Sequence, residues 1–228
     1  YIDFDGNENI IFSKADGAID PKDAISKMID AIKQNGGSVL YPCKFEEIIE
    51  SNDFFSQIKT SMGVFKSENV IFCNGIDIDK TFNTNFLKSP RPGVIIKTKP
   101  SNNIINSIVY GPNIHAHQQN NGQLIIGEQI TAPIKEDSKN HLKRINRHFK
   151  EMVKDSADLD PSEILIGWRP LPKDGLPVIG RFKNKSIYVA VMHSGISLAA
   201  IVGNLVTQEI VDEVESLLLN DFRPSRFF

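Results

Sequence analysis

The sequence predicts a mixed α/β (α+β) fold, with an α/β part built from both ends of the chain and a mainly antiparallel β part inserted between them. Three observations predict it. Helical and buried-strand patterns alternate near both termini, as at Ala24–Ile32 with Val70–Cys73 and at Ile187–Val191 with Leu198–Ile210. In the middle, Asn120-Asn121-Gly122 joins the runs Ile104–Gln119 and Gln123–Glu128 in the manner of a hairpin. Pro90, Pro92 and Pro100 mark the change of texture between the two parts. With 228 residues, 40% apolar and 24% charged, the chain can bury a core without staples. Collagen-like, coiled-coil and wholly disordered readings are excluded.

The elements follow in order. Asp16-Gly17 is a turn, and Asp20-Pro21 starts a helix with Asp20 as cap and Pro21 at its first position. Ala24, Ile25, Met28, Ile29 and Ile32 recur at helical spacing until Asn35-Gly36-Gly37 stops them. Ser38–Ile49 and Phe54–Thr60 read as strands, and Val70-Ile71-Phe72-Cys73 as a short, fully buried one. Ser138 opens a helix with Leu142, Ile145, Phe149, Met152 and Val153 on one face. Ile164–Trp168 and Ile187–Val191 are further strands. The latter runs through His193-Ser194-Gly195 into a helix carrying Leu198, Ile201, Val202, Leu205, Val206 and Ile210.

Several function classes drop out. Lys and Arg number 26 against 28 Asp and Glu, a net charge of −2, so nothing drives binding to a phosphate backbone and no nucleic-acid partner is expected. Cys43 and Cys73 cannot form a four-ligand zinc site or a C-x-x-C redox pair. Two cysteines fit a reducing, cytoplasmic compartment. No apolar stretch reaches the ~20 residues of a spanning helix. None of the 15 glycines forms a G-x-G-x-x-G or a P-loop. The chain begins at Tyr1 without Met or a charged-then-apolar leader, so its start is expected to be the boundary of an excised fragment, a cleavage or a split gene.

Three constellations can carry chemistry. In Met192-His193-Ser194-Gly195-Ile196-Ser197-Leu198 a strand feeds a helix N-terminus, where unpaired N–H groups favour an anion or an electron-rich ring edge; the plain alternative is an ordinary βα turn. Arg169, at a strand end between Trp168 and Pro170, can hold a substrate carboxylate, or else stack on Trp168 as a structural residue. His115 and His117 share one face of a strand. They can line a pocket or merely face solvent, and a third metal ligand at fitting spacing is lacking. Lys143, Arg147, Lys150 and Lys154 form a basic helix stripe, read as a solvated face.

Placed in order, these pieces resemble the FAD-dependent amine oxidoreductases of the D-amino-acid oxidase, glycine oxidase and sarcosine oxidase group. The motifs that carry the resemblance are Asp16-Gly17-Ala18-Ile19-Asp20-Pro21, Gly37-Ser38-Val39 to Phe45, Val70 to Gly75, Pro90-Arg91-Pro92-Gly93 and Gly122 to Gly127. Gly167 to Pro170, Asp174 to Gly180, His193 to Leu198 and Arg223-Pro224-Ser225-Arg226-Phe227 complete the series. Two departures stand out: the group's N-terminal glycine-rich βαβ unit is missing from this sequence, and His115 stands where glycine oxidase-like members carry an aromatic pocket residue; within the Val70–Gly75 motif, Cys73-Asn74 replace the usual small residues.

The resemblance implies an incomplete FAD-binding α/β domain, residues 17–87 and 171–214, and a substrate domain, residues 1–16 and 88–170, with a C-terminal tail, 215–228. It implies FAD as cofactor, contacted by Phe45, Asn74, Gly75, Gly180, His193, Ser194, Gly195, Ile196, Ser197 and Leu198, and a small amino or imino acid as substrate, contacted by Arg169, His115 and His117. No metal is implied. The α-hydrogen would leave as hydride to the flavin N5, from a D-amino acid, glycine or sarcosine, or a cyclic imino acid. A missing N-terminal FAD-binding segment or partner chain is expected, and a homo- or hetero-oligomer stays open. The alternative from another class is a non-catalytic subunit or scaffold that keeps the fold without a working flavin site.

Overall fold

The computed structural model describes residues 13–14, 17–128, 138–154 and 156–228. In chain order, helix α1 (Pro21–Gln34) precedes strands β1 (Phe45–Ser51), β2 (Ser56–Thr60), β3 (Gly63–Ser67) and β4 (Val70–Phe72), and the short helix α2 (Ile78–Phe82). Strands β5 (Arg91–Thr98), β6 (Val109–Tyr110), β7 (Ile114–Gln118) and β8 (Leu124–Glu128) lead to helix α3 (Ser138–Met152) and strand β9 (Pro161–Arg169). Strands β10 (Val178–Phe182) and β11 (Asn184–Val191) then enter helix α4 (Gly195–Asp212), and two 3₁₀ turns, Leu217–Phe222 and Pro224–Phe227, close the chain. The expected turn at Asp16 and most of segment 1–16 lie outside the described residues.

The fold class is the expected one: helices with parallel and antiparallel strands, in two compact units. One unit comprises residues 1–20 and 91–168, the other 21–90 and 169–228. Some strand limits differ from expectation. The run from Ser38 begins to pair only at Phe45, past Pro42, which has no N–H to give a ladder. The long strand expected over Ile104–Gln119 is cut short. Gln118 Oε1 accepts from the Ile104 N–H at 2.7 Å and its Nε2 donates to the Asn102 carbonyl at 2.9 Å, so the backbone there bonds a side chain instead of a strand. The strand expected at Ile164–Trp168 starts earlier, at Pro161, since a strand's first residue tolerates proline.

The first unit is a five-stranded sheet in the order β6-β7-β8-β5-β9. Alternation along β5 and β7 sets its faces. Ile96, Ile114, Ala116, Leu124 and Ile126 point inward and meet Ile145, Phe149, Met152 and Val153 of α3. Ile145 and Phe149 are fully buried, so the stripe read from the sequence is the contact face. The alternate residues of β7, His115 and His117, fall on the opposite face.

The second unit holds the antiparallel sheet β1-β2-β3 and the sheet β10-β11-β4, in which β11 runs antiparallel to β10 and parallel to β4. The two ends of the chain thus meet, with Ile187 opposite Val70 and Val189 opposite Phe72. A chain of edge-to-face rings fills the core: Phe45–Phe72 at 5.3 Å, Phe72–Phe82 at 4.9 Å, Phe82–Phe182 at 5.1 Å and Phe86–Phe227 at 5.3 Å between centroids. Leu205 and Val206 of α4 pack on Ile179 and Tyr188. Two expectations of burial fail. Of the run Val70–Cys73 only Phe72 is buried and Ile71 is 45% exposed, because β4 is the sheet's edge strand. The apolar stripe of α1 carries no buried residue, since amphipathicity selects a face but does not supply its cover.

Candidate functional site

In the second unit, parallel pairing brings two chain exits to one edge. Strand β4 leaves through Asn74-Gly75 and β11 through Met192-His193-Ser194, and the C-terminal edge of parallel strands is where α/β sheets bind ligands. Gly75 has φ +58° and starts a 3₁₀ turn. Asn74 Nδ2 donates to Thr81 Oγ1 at 2.8 Å, while Asn74 Oδ1 is buried without a hydrogen-bond partner among the described residues. Ser194 is the N-cap of α4 but makes no side-chain capping bond; its Oγ lies 3.2 Å from His193 Nδ1. The Leu198 N–H is used internally, donating to the Ser194 carbonyl at 3.0 Å. Gly195, Ile196 and Ser197 are exposed, and no atom lies within 4 Å of the Cβ position of Gly195. An uncapped helix N-terminus of this kind offers donors and a partial positive charge to a ligand.

Asn74 also lines, with Phe45, an open cleft of about 1250 Å³ bordered by Lys44, Glu46, Thr81 and Lys183. Gly180 stands apart from both groups. It is buried in β10 at φ +149°, and a Cβ there would lie 3.0 Å from Pro224 Cδ and 3.2 Å from Arg223 Cδ. Its visible work is to let the C-terminal tail approach the strand.

The tail is held by Arg223 and Arg226 of the closing motif, through partners that include Glu209 and Tyr188, to which the sequence alone gives no role. Arg223 donates twice to Glu209, at 2.9 and 2.6 Å, Tyr188 Oη donates to the same carboxylate, and the Ser216 N–H adds a bond at 2.6 Å. Glu209 is only 5% exposed. Burial pushes its carboxyl up, but the bonds from Arg223, Tyr188 and Ser216 outweigh this and hold it below the ordinary range. Burial and the Glu209 carboxylate push the Tyr188 phenol well up, so it remains a donor. Arg226 forks onto Asp174 at 2.6 and 3.2 Å, tying the closing motif to the Asp174-Gly175 turn. A signal was present: Glu209 interrupts the apolar stripe of α4, and a buried carboxylate demands a partner.

In the first unit, Tyr110 stacks on His115, with ring centroids 5.4 Å apart and planes 25° from parallel. His117 is half-buried; desolvation pushes its imidazole down, and the Asp20 carboxylate offsets part of this. A second buried carboxylate was also missed. Arg144 forks onto Glu128 at 2.7 and 2.9 Å, and His141 Nε2 lies 3.2 Å from the same group. The basic stripe of α3 is solvated as expected, with exposed pairs such as Arg147–Glu151 at 3.6 Å, which contribute little.

Arg169 is the last residue of β9, half-buried, and its guanidinium makes no hydrogen bond or ion pair among the described residues. Those residues contain no cluster of three metal-ligating side chains and no helix long and apolar enough to cross a membrane.

The family model of FAD dependent oxidoreductases, DAO, matches residues 4–209. By sequence, no curated protein matches the chain. Among solved structures, L-proline dehydrogenase from P. horikoshii aligns at TM-score 0.80 and 20% identity, over 91% of this chain and 60% of its own. Glycine oxidase from Geobacillus kaustophilus aligns at TM-score 0.74 and 20% identity, over 87% and 56%. Iminodiacetate oxidase from Chelativorans sp. BNC1 aligns at TM-score 0.72 and 14% identity, over 88% and 57%. At these identities the likeness establishes the fold, and the chain spans less than two thirds of each structure's length. FAD is the cofactor of the matched family, as the sequence motifs imply. The chain belongs to the DAO family of FAD-dependent oxidoreductases.

Proposed function

We propose that this chain forms the substrate side and part of the cofactor side of a flavoenzyme that oxidises the C–N bond of an amino or imino acid, the α-hydrogen leaving as hydride. The observation that carries the reading is Arg169: a half-buried guanidinium at a strand end with no partner among the described residues suits a substrate carboxylate. Proline, glycine and iminodiacetate, which name the similar structures, are all amines that bear a carboxylate.

The residues fit the cofactor. Uncapped N–H groups at Gly195, Ile196 and Ser197 suit an electron-rich ring edge, and the buried, unpaired Asn74 Oδ1 suits a hydroxyl or N–H donor. When bound, FAD supplies the electron sink that accepts the substrate's hydride. Arg169 pairs with the carboxylate and fixes the substrate's orientation. His115 and His117 are the further substrate contacts the resemblance implies, and burial, which pushes the His117 imidazole down, favours its uncharged form beside an amine. The helix dipole of α4 favours negative charge that develops at its N-terminus. An amine that arrives neutral needs no general base.

These 228 residues contain no glycine-rich loop for a pyrophosphate, so alone they should bind FAD weakly. Joined to a segment or partner carrying such a loop, the protein should copurify with FAD. Under anaerobic conditions one of glycine, sarcosine, L-proline or D-alanine should then bleach the flavin. Tight, stoichiometric FAD on the 228 residues alone would sink this division of labour. A colourless complex after joining would favour the scaffold reading.

A further inference from the structure

A Cβ placed on Gly127 would run into Cε1 and Nε2 of the His115 imidazole. Strand register explains the overlap. Tyr110, His115 and Gly127 are direct cross-strand neighbours on β6, β7 and β8, and Ile95 of β5 continues the row. Such neighbours share one face of the sheet. The imidazole lies down over the bare backbone of Gly127, and Tyr110 backs it from the neighbouring strand. Gly127 is buried although its row faces outward, and the ring lies over it. Glycine inside a strand is ordinarily unfavourable, and it is found where another group must approach the backbone closely.

The geometry points to His115 as one wall of the subsite for the substrate's α-substituent, and to Gly127 as the positioning residue that sets where this wall stands. This rests on the proposed oxidation of amino or imino acids. With glycine at 127 the ring lies flat, and the volume above the sheet is left to the substrate. A methyl group there lifts the ring off the sheet into that volume. Removing the ring opens the volume further. The two changes therefore act in opposite directions on a bulky substrate, which a merely structural pairing of ring and glycine would not do.

The test uses the FAD-loaded enzyme with glycine against DL-norvaline, or DL-proline against DL-pipecolate if imino acids are preferred. Gly127→Ala should lower kcat/KM for the bulkier substrate about 10-fold more than for the smaller, a difference in line with the discrimination a single methylene provides. His115→Ala should shift the ratio the other way, and the double variant should follow His115→Ala, because the methyl group added at position 127 then has no ring to displace. A readout independent of activity is the imidazole NMR signal of His115, shifted by the Tyr110 ring; it should move in both Gly127→Ala and Tyr110→Leu. Equal losses for the two substrates, or an unmoved His115 signal in Gly127→Ala, would overturn the assignment. A wild-type flavoenzyme inert toward every amino and imino acid would defeat the proposed function, and this subsite with it.

Discussion

Arg169→Lys in the FAD-loaded enzyme should raise KM for a carboxylated amine at least 10-fold and leave flavin content unchanged. Arg presents a planar fork that matches a carboxylate, and the Lys ammonium cannot reproduce it. A hydrogen bond to a charged group contributes about 1.5–3 kcal/mol, or roughly 10- to 150-fold in affinity. Arg169→Ala should lose more, because the substrate carboxylate would then sit unpaired against a partly dry surface. Decarboxylated amines should hardly notice either change. If Arg169 were structural instead, both substrate kinds would suffer alike and the melting temperature would fall. Kinetics with a matched pair, an amino acid and its decarboxylated amine, on folded flavinylated variants decides between the two. Equal impairment would retire Arg169 as the carboxylate anchor.

Arg223→Ala should be the most destabilising single change among those considered, costing about 3–5 kcal/mol, because it strands the Glu209 carboxylate in the interior. With Glu209 5% exposed, water cannot replace the lost partner. For a chain of this length the expected fall in Tm is on the order of 10 °C. Replacing both charged residues, Glu209→Leu with Arg223→Met, should cost less than Arg223→Ala alone, since no buried charge is left unpaired.

The pair also sets a pH dependence. The folded carboxyl of Glu209 titrates below its unfolded value, so its contribution is full above the ordinary glutamate pKa of about 4.3 and is lost as the pH falls through the folded value. Glu209→Gln should flatten that acid limb. Thermal melts of the three variants and wild type between neutral and acid pH check this. An unchanged Tm in Arg223→Ala would mean the tail is not clamped in solution.

How much of this was legible without coordinates depends on the range of the forces involved. Strand β11 running through His193-Ser194-Gly195 into α4, the hairpin at Asn120-Asn121-Gly122 and the stripe Ile145, Phe149 and Val153 are all local. Period, turn chemistry and capping act within a few residues, so the chain itself states them. The candidate site was legible to the same extent: Arg169 at a strand end, the α4 N-terminus, and His115 and His117 on one face need only their neighbours.

The rest was decided by pairs far apart in sequence. Parallel pairing of β4 with β11, which brings Asn74 and Ser194 to one edge, joins residues more than a hundred positions apart. Gly180 reads as one more ligand-binding glycine until Arg223 and Pro224 are seen to occupy its Cβ space. Gly127 reads as the end of a motif until the His115 ring is found lying on it. The stripe of α1 and the buried Glu209 make the same point in opposite senses. Amphipathicity declares which face can be buried, but what covers it, an apolar partner, an arginine or nothing within the described residues, depends on chain brought in from elsewhere.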